Sequence, residues 1–174
     1  MSFVADEVLS DTFFESVLKL KTIGFESGKA YQFPRLTNYC GRWIRHCGWY
    51  PDLQLRLFSK KTGQCSSHLV HEQVLLAPGT KVLRIKGDLL HFSYENLSDH
   101  MKRIDTYSTL GAEKIIADGK TFLILRGIIQ GHFRFIKTYF LKLGILDAKP
   151  GLVISLFASW MVFIKYVKAY QLKV

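Results

Sequence analysis

The sequence predicts an α/β fold, with strands in the first half of the chain and helices in the second. Two periodicities lead to this prediction. Between residues 53 and 58 leucines alternate with Gln54 and Arg56, as in a strand with one buried face. From Leu97 onward, apolar and small residues recur at spacings of three and four, which is the helical period. The 174 residues, 48% of them hydrophobic, are enough for one domain with a real core.

The chain is expected to begin with a short apolar strand at residues 1–5, followed at once by a helix. Ser10 or Thr12 would cap this helix, and Glu15 stands three residues after Thr12 as in a capping box. Gly24 would end it, because glycine readily adopts the left-handed conformation found after helices.

Further strands are expected before residue 95. Turn residues such as Gly63, Pro78 and Gly79 separate them. The strands are predicted at residues 30–34, 53–58, 64–67, 82–85 and 88–92, with an aromatic and basic loop at 38–52.

The second half of the chain is basic and apolar. The net charge is +10, and residues 120–174 hold nine Lys or Arg residues against one acid, Asp147. On a helical wheel for residues 122–143, Arg126, Gln130, Arg134 and Lys137 share one arc, opposite aliphatic and aromatic residues. An apolar basic segment favours an anionic membrane surface over nucleic acid.

This region is expected to lie on a bilayer and not to cross it. Its longest uncharged run, residues 151–164, is shorter than the ~20 residues that a spanning helix needs. Trp160 falls within that run. No secretory signal is recognised, and three cysteines without a C-x-x-C pair indicate free thiols in a reducing cytoplasm.

Several polar residues are candidates for chemistry, each with a structural alternative. Glu72 beside His71 could be a general base or a surface carboxylate. His91 could bind a metal or be a core histidine bonded to a backbone carbonyl. Asp6 and Glu7 could bind Mg²⁺ or Mn²⁺, or favour the amino end of the following helix. No nucleotide-binding glycine motif or H-E-x-x-H motif is present.

The aromatic and basic loop has its own pair of interpretations. Trp49 and Tyr50 could stack on a sugar while Arg56 holds phosphate, or the aromatic rings could pack on the sheet.

In their order and spacing these segments resemble family 2 glycosyltransferases, particularly the bacterial lipopolysaccharide-core glucosyltransferase type. The segments that carry the resemblance are Ala5-Asp6-Glu7-Val8-Leu9-Ser10, Asn38-Tyr39, Gly41-Arg42-Trp43-Ile44-Arg45-His46, Gly48-Trp49-Tyr50-Pro51-Asp52, Leu55-Arg56-Leu57-Phe58, Val70-His71-Glu72, Lys86-Gly87-Asp88-Leu89-Leu90-His91-Phe92-Ser93-Tyr94, Tyr107-Ser108-Thr109-Leu110 and residues 144–166.

The resemblance implies a GT-A, Rossmann-like fold: a mixed sheet followed by C-terminal amphipathic helices. It implies an inverting, metal-dependent transfer from a nucleotide-sugar donor to a lipid-linked saccharide acceptor at the cytoplasmic membrane's inner face. The implied roles are Glu72 as base, Asp6 and His91 as ligands of Mg²⁺ or Mn²⁺, Trp49, Tyr50, Asp52, Arg56 and His71 at the substrate site, and Arg126, Arg134, Lys137 and Trp160 at the membrane.

The sequence also departs from the family pattern. The family's Asp-x-Asp-Glu metal motif corresponds to Val4-Ala5-Asp6-Glu7, so that one carboxylate is replaced by Val4. The chain resembles only the C-terminal portion of such enzymes: residues 1–95 a partial catalytic domain, residues 96–174 a helical region. A second copy or a partner chain would then supply the nucleotide-binding half. The alternative is a non-catalytic membrane-surface remnant or a subunit of a split enzyme.

Overall fold

The computed structural model describes residues 6–26, 28–61, 63–65 and 74–173. Within these ranges the α/β class is confirmed, because a mixed six-stranded sheet, a two-stranded sheet and four α-helices are present. The strand expected at residues 1–5 lies outside the described residues, as do Val4, His71 and Glu72. The chain divides into two compact units, which we call the sheet unit (residues 1–37 and 51–92) and the helical unit (residues 38–50 and 93–174).

The elements follow one another in a simple order. They are β1 (Glu7–Leu9), α1 (Asp11–Ile23), β2 (Lys29–Tyr39), β3 (Arg42–Ile44), β4 (Asp52–Phe58), β5 (Gly63–Cys65), β6 (Val74–Leu76), β7 (Lys81–Arg84), β8 (Leu89–Tyr94), α2 (Leu97–Ala117), α3 (Leu123–Ile136) with a π-helical continuation (Lys137–Leu141), a 3₁₀ turn (Gly144–Asp147) and α4 (Ala148–Lys173).

Strand β2 is the centre of the sheet unit. It pairs with β4 antiparallel and with β7 parallel, and β8 lies between β2 and the antiparallel edge strand β1. β2 is much longer than the strand predicted at residues 30–34, and β3 lies within the loop predicted at 38–52. Aromatic and basic side chains there do not prevent strand formation, since β structure accepts large half-buried side chains.

Helix α1 covers the apolar part of one sheet face. Its predicted ends are confirmed: the Ser10 hydroxyl accepts a hydrogen bond from the Phe13 amide at 3.3 Å, and the Gly24 amide donates to the Leu20 carbonyl at 3.0 Å. Phe13 is fully buried against Phe33, with ring centroids 4.2 Å apart. The surrounding core residues are Leu9, Val17, Leu20, Tyr31, Leu57, Leu83 and Ile85.

The predicted burial of β4 is wrong in part. Leu57 packs in the core, but Leu53 is 40% exposed, whereas the side chain of Arg56 is only 14% exposed. The alternation of leucines with polar residues does not predict this burial, because the polar side chains of β4 are covered by charged partners from other strands.

In the helical unit, α4 packs against both α2 and α3. The buried positions of α3 are mainly small: Gly127 and Gly131 lie against α4, and the Ser159 hydroxyl donates to the Gly131 carbonyl at 2.9 Å. Glycines at this spacing allow two helix backbones to approach closely. The larger apolar residues of α3 are therefore left on its outer faces.

Two turn glycines of the sheet unit provide a matched test of packing. Gly87 and Gly79 both have positive φ, +99° and +83°. An added Cβ at Gly87 would overlap the backbone N and Cα of Phe13, whereas at Gly79 nothing lies within 4 Å. We expect Gly79→Ala to cost about 1 kcal/mol of unfolding free energy from backbone strain, and Gly87→Ala at least about 3 kcal/mol. Urea unfolding of the two variants tests this, and equal costs would contradict the close approach of Gly87 to α1.

Candidate functional site

A group of charged side chains lies on one face of the sheet unit, beyond the apolar patch under α1. We call it the charged cluster. Its members are Asp6, Glu7, Arg35, Asp52, Arg56 and His91. Five of them lie on four neighbouring strands, β1, β8, β2 and β4, and Asp6 directly precedes β1. Glu7 and His91 are direct cross-strand partners, as are Arg35 and Asp52, so each pair shares a face.

Glu7 is the central acid of the charged cluster. Its side chain is fully buried, and it accepts a hydrogen bond from Arg56 Nη2 at 2.8 Å. A guanidinium nitrogen of Arg35 lies 3.8 Å from the same carboxylate. Arg35 also donates through Nε and Nη2 to Asp52 Oδ2, at 2.9 and 2.6 Å. The two arginines are thus each held by at least one carboxylate.

A β-bulge sets the position of Arg56. The register between β2 and β4 shifts after Tyr31, which pairs with Leu57, while Gln32 pairs with Leu55. Arg56 is therefore left without a cross-strand partner. Such an extra residue bends the strand and re-aims its side chain, and here that side chain reaches Glu7 on a strand that is not a neighbour of β4.

Asp6 and His91 form the second part of the charged cluster. His91 Nε2 lies 3.0 Å from Asp6 Oδ2. Burial, and then the charge of Arg35, lower the pKa of His91 below its usual range, against the opposing effect of Asp6 and Glu7. The neutral ring must donate from Nε2, since a carboxylate only accepts. Asp6 Oδ1 and His91 Nδ1 are both buried acceptors, and neither has a hydrogen-bond partner among the described residues.

These two residues fit a divalent ion as a partial ligand set. A carboxylate oxygen and a neutral imidazole nitrogen are both acceptable ligands for Mn²⁺. The atoms that would hold one ion are Asp6 Oδ2 and His91 Nε2, 3.0 Å apart, with the ring proton moved to Nδ1, because Nδ1 points away from Asp6. With His91 neutral, the charged cluster has three carboxylates and two guanidinium groups, a net charge of −1. No group of three His, Cys, Asp or Glu side chains with metal-site spacing occurs among the described residues. Mg²⁺ and Mn²⁺ commonly complete such sites with water and substrate phosphates.

The predicted aromatic substrate residues belong to the helical unit. Trp49 stacks on Tyr94 at 5.2 Å and meets Tyr39 edge-on at 5.8 Å. The hydroxyl of Tyr39 hydrogen-bonds His100 Nδ1 at 2.9 Å. Arg45 lies over the ring of Tyr50, 5.6 Å from its centroid. Trp49 thus packs in an aromatic cluster of the helical unit.

The predicted membrane residues are exposed. Arg126, Arg134 and Lys137 are exposed on α3 or its π-helical continuation, and Trp160 on α4 is 45% exposed. Large apolar residues are exposed on the same elements. They are Ile128, Ile129, Phe133, Ile136, Phe140, Leu152 and Leu156. By length and composition, the stretch Gly144–Lys173 is long and apolar enough to cross a membrane. An 18-residue window within it has a mean hydropathy of 1.6, and 22% of that window is buried.

Sequence analysis missed two members of the charged cluster. Glu7 was considered only as a metal ligand or a helix-end charge, and Arg35 was not considered at all. The sequence feature that points to Arg35 is its position in β2. Alternate residues of a strand face the same side, so Arg35 shares a face with the core residues Tyr31 and Phe33. An arginine on such a face requires a buried acid.

In comparisons with known proteins, no family model and no solved structure matches this chain.

The ion pairs of the charged cluster differ in burial, which allows a direct test. Glu7→Gln would leave two largely buried guanidinium groups without their shared acid, and we expect a loss of about 3 kcal/mol in unfolding free energy. Asp52→Asn is the matched control. Asp52 is 39% exposed, so we expect a loss of under about 1 kcal/mol. Guanidinium unfolding of both variants checks the order, and a larger cost for Asp52→Asn would refute the central role of Glu7.

His100 predicts a pH dependence of stability. Burial, and then the charge of Arg103, lower the pKa of His100 from 6.5 to about 4. The unfolded chain therefore binds a proton between these values that the folded chain does not. Stability is complete above pH 6.5 and falls as the pH drops toward 4, by about 3 kcal/mol in total.

The variant His100→Gln removes this titration while keeping a polar partner for Tyr39. We expect its unfolding free energy to depend less on pH between 6.5 and 4 than that of the parent. His132→Gln, at an exposed position of α3, should leave the parent's pH dependence intact. Parallel pH profiles for the parent and His100→Gln would rule out the neutral, buried state of His100.

Proposed function

We propose that this chain is a family 2, GT-A-type glycosyltransferase or the acceptor-side portion of one. It would transfer a sugar from a nucleotide-sugar donor to a lipid-linked saccharide acceptor at the inner face of the cytoplasmic membrane. One observation carries the proposal. Asp6 and His91, which the resemblance selects from distant positions in the sequence, lie with Oδ2 and Nε2 3.0 Å apart.

In this proposal the charged cluster receives the donor diphosphate. Asp6 and His91 would hold Mg²⁺ or Mn²⁺, and the chemistry that such an ion supplies is stabilisation of the charge on the departing diphosphate. Arg56 is positioned by Glu7, and its buried Nε has no hydrogen-bond partner in the part of the chain that the structure describes. A guanidinium held in this way can donate to phosphate oxygens without a large loss of side-chain entropy.

The proposed reaction is an inverting displacement. The acceptor hydroxyl attacks the anomeric carbon, the bond to the diphosphate oxygen breaks, and a carboxylate takes the hydroxyl proton. The resemblance gives the role of the carboxylate to Glu72, with His71 as its neighbour; both lie outside the described residues. The exposed apolar and basic surface of α3 and α4 supports an acceptor carried by a membrane.

The first test is a calorimetric titration with UDP and Mn²⁺. We expect Asp6→Asn and His91→Gln each to weaken metal-dependent UDP binding by at least about 10-fold. Loss of a residue that only supports a metal ligand already costs about 10-fold in affinity, so loss of a ligand should cost no less. Glu15→Gln, on the exposed side of α1, is the control and should bind as the parent does. If both cluster variants match Glu15→Gln, the charged cluster is not the donor site.

A further variant separates binding from catalysis. Glu72→Gln should retain UDP and Mn²⁺ affinity but abolish sugar transfer in an assay of the complete or complemented enzyme. Retained turnover in this variant would reject Glu72 as the base.

The second candidate function is a non-catalytic membrane-surface subunit. The extent of exposed apolar surface on α3 and α4 favours it, because this surface does not depend on the charged cluster. Normal vesicle binding without any UDP binding would support this second function over the first.

A further inference from the structure

A cavity of about 560 Å³ lies in the helical unit, where β2 ends and α4 begins. None of the residues that line it belongs to the charged cluster. Its lining combines apolar side chains with two cations. The lining residues are Tyr39, Cys40, Arg42, Leu97, Ala148, Lys149, Pro150 and Val153.

The two cations of this cavity are not neutralised within the described part of the chain. The side chains of Arg42 and Lys149 are exposed and form no ion pair or hydrogen bond with any described residue. Asp147, the acid next to Ala148, is already engaged: it accepts from the amides of Arg45 and His46 and from His46 Nδ1, at 3.3, 2.8 and 2.9 Å. The cavity therefore carries a net positive charge, to which the amino end of α4 adds.

The rest of the cavity is suited to hydrocarbon. Leu97 and Val153 line it, and the exposed side chains of Leu152 and Leu156 continue along α4 from its first turns. A ligand that satisfied both parts would have a doubly charged anionic head and an apolar chain.

We propose that this cavity binds the terminal phosphate of a membrane lipid, a phosphomonoester, with the hydrocarbon chain lying along α4. A phosphomonoester carries a charge of about −1.5 to −2 at pH 7 and has three strong acceptor oxygens. Arg42 and Lys149 together match that charge, whereas a phosphodiester would neutralise only one of them. The inference rests on the membrane part of the proposed function and not on its catalytic part.

The test compares vesicles of phosphatidylcholine that contain either phosphatidic acid or phosphatidylglycerol at matched surface charge. We expect the full chain to prefer phosphatidic acid, and the double variant R42Q/K149Q to lose that preference through a loss of at least about 10-fold in affinity for phosphatidic acid. R126Q/K137Q removes the same charge from α3 and its π-helical continuation, and it should weaken binding to both vesicles equally. Circular dichroism confirms that each variant is folded.

Four outcomes would overturn the inference. Equal binding of the parent to the two vesicles, or an unchanged preference in R42Q/K149Q, would mean that only surface charge is sensed. Calorimetric binding of soluble glycerol 3-phosphate as tight as that of phosphatidic acid would assign the cavity to a free phosphate ester. Failure to bind any vesicle would reject the membrane part of the proposed function as well, whereas UDP binding would still report on the charged cluster.

Discussion

The buried carboxylate of Glu7 is the group on which the charged cluster depends. It has no exposed side-chain surface, and it holds Arg56 at 2.8 Å while Arg35 lies 3.8 Å away. Burying charges is costly, and the cost is recovered only when each charge has partners in good geometry. The side chain of Glu7 therefore links β1 to β2 and β4, although β8 is the strand with which β1 forms backbone hydrogen bonds.

One face of the sheet carries both a part of the apolar core and the charged cluster. Tyr31, Phe33 and Arg35 alternate onto the same face of β2; the first two pack in the core beneath α1, and the third begins the charged cluster. The bulge in β4 then gives Arg56 the direction it needs to reach Glu7. Within the described part of the charged cluster, the buried polar atoms that remain without a partner are Asp6 Oδ1, His91 Nδ1 and Arg56 Nε.

Local chemistry made part of this structure predictable. Ser10 and Gly24 mark the ends of α1 because capping depends on residues within one turn of the helix end. The bulge, the full length of β2 and the partners of Arg35 could not be predicted, since they depend on strand pairing between distant segments. Asp6, Asp52, Arg56 and His91 were selected as site residues by resemblance, but Glu7 emerges as their organiser only when the strands are paired.

The two units use their basic residues differently. In the sheet unit, Arg35 and Arg56 are paired with Asp52 and Glu7, so that their charge acts mainly within the charged cluster. In the helical unit, Arg42, Lys149 and Arg134 have no ion-pair partner in the described ranges and lie on elements that also expose large apolar side chains. An unpaired cation beside exposed hydrocarbon is most stable at a boundary between water and lipid, where its charge stays hydrated or meets phosphate. The same chain thus pairs one group of charges within the sheet unit and leaves another group exposed in the helical unit.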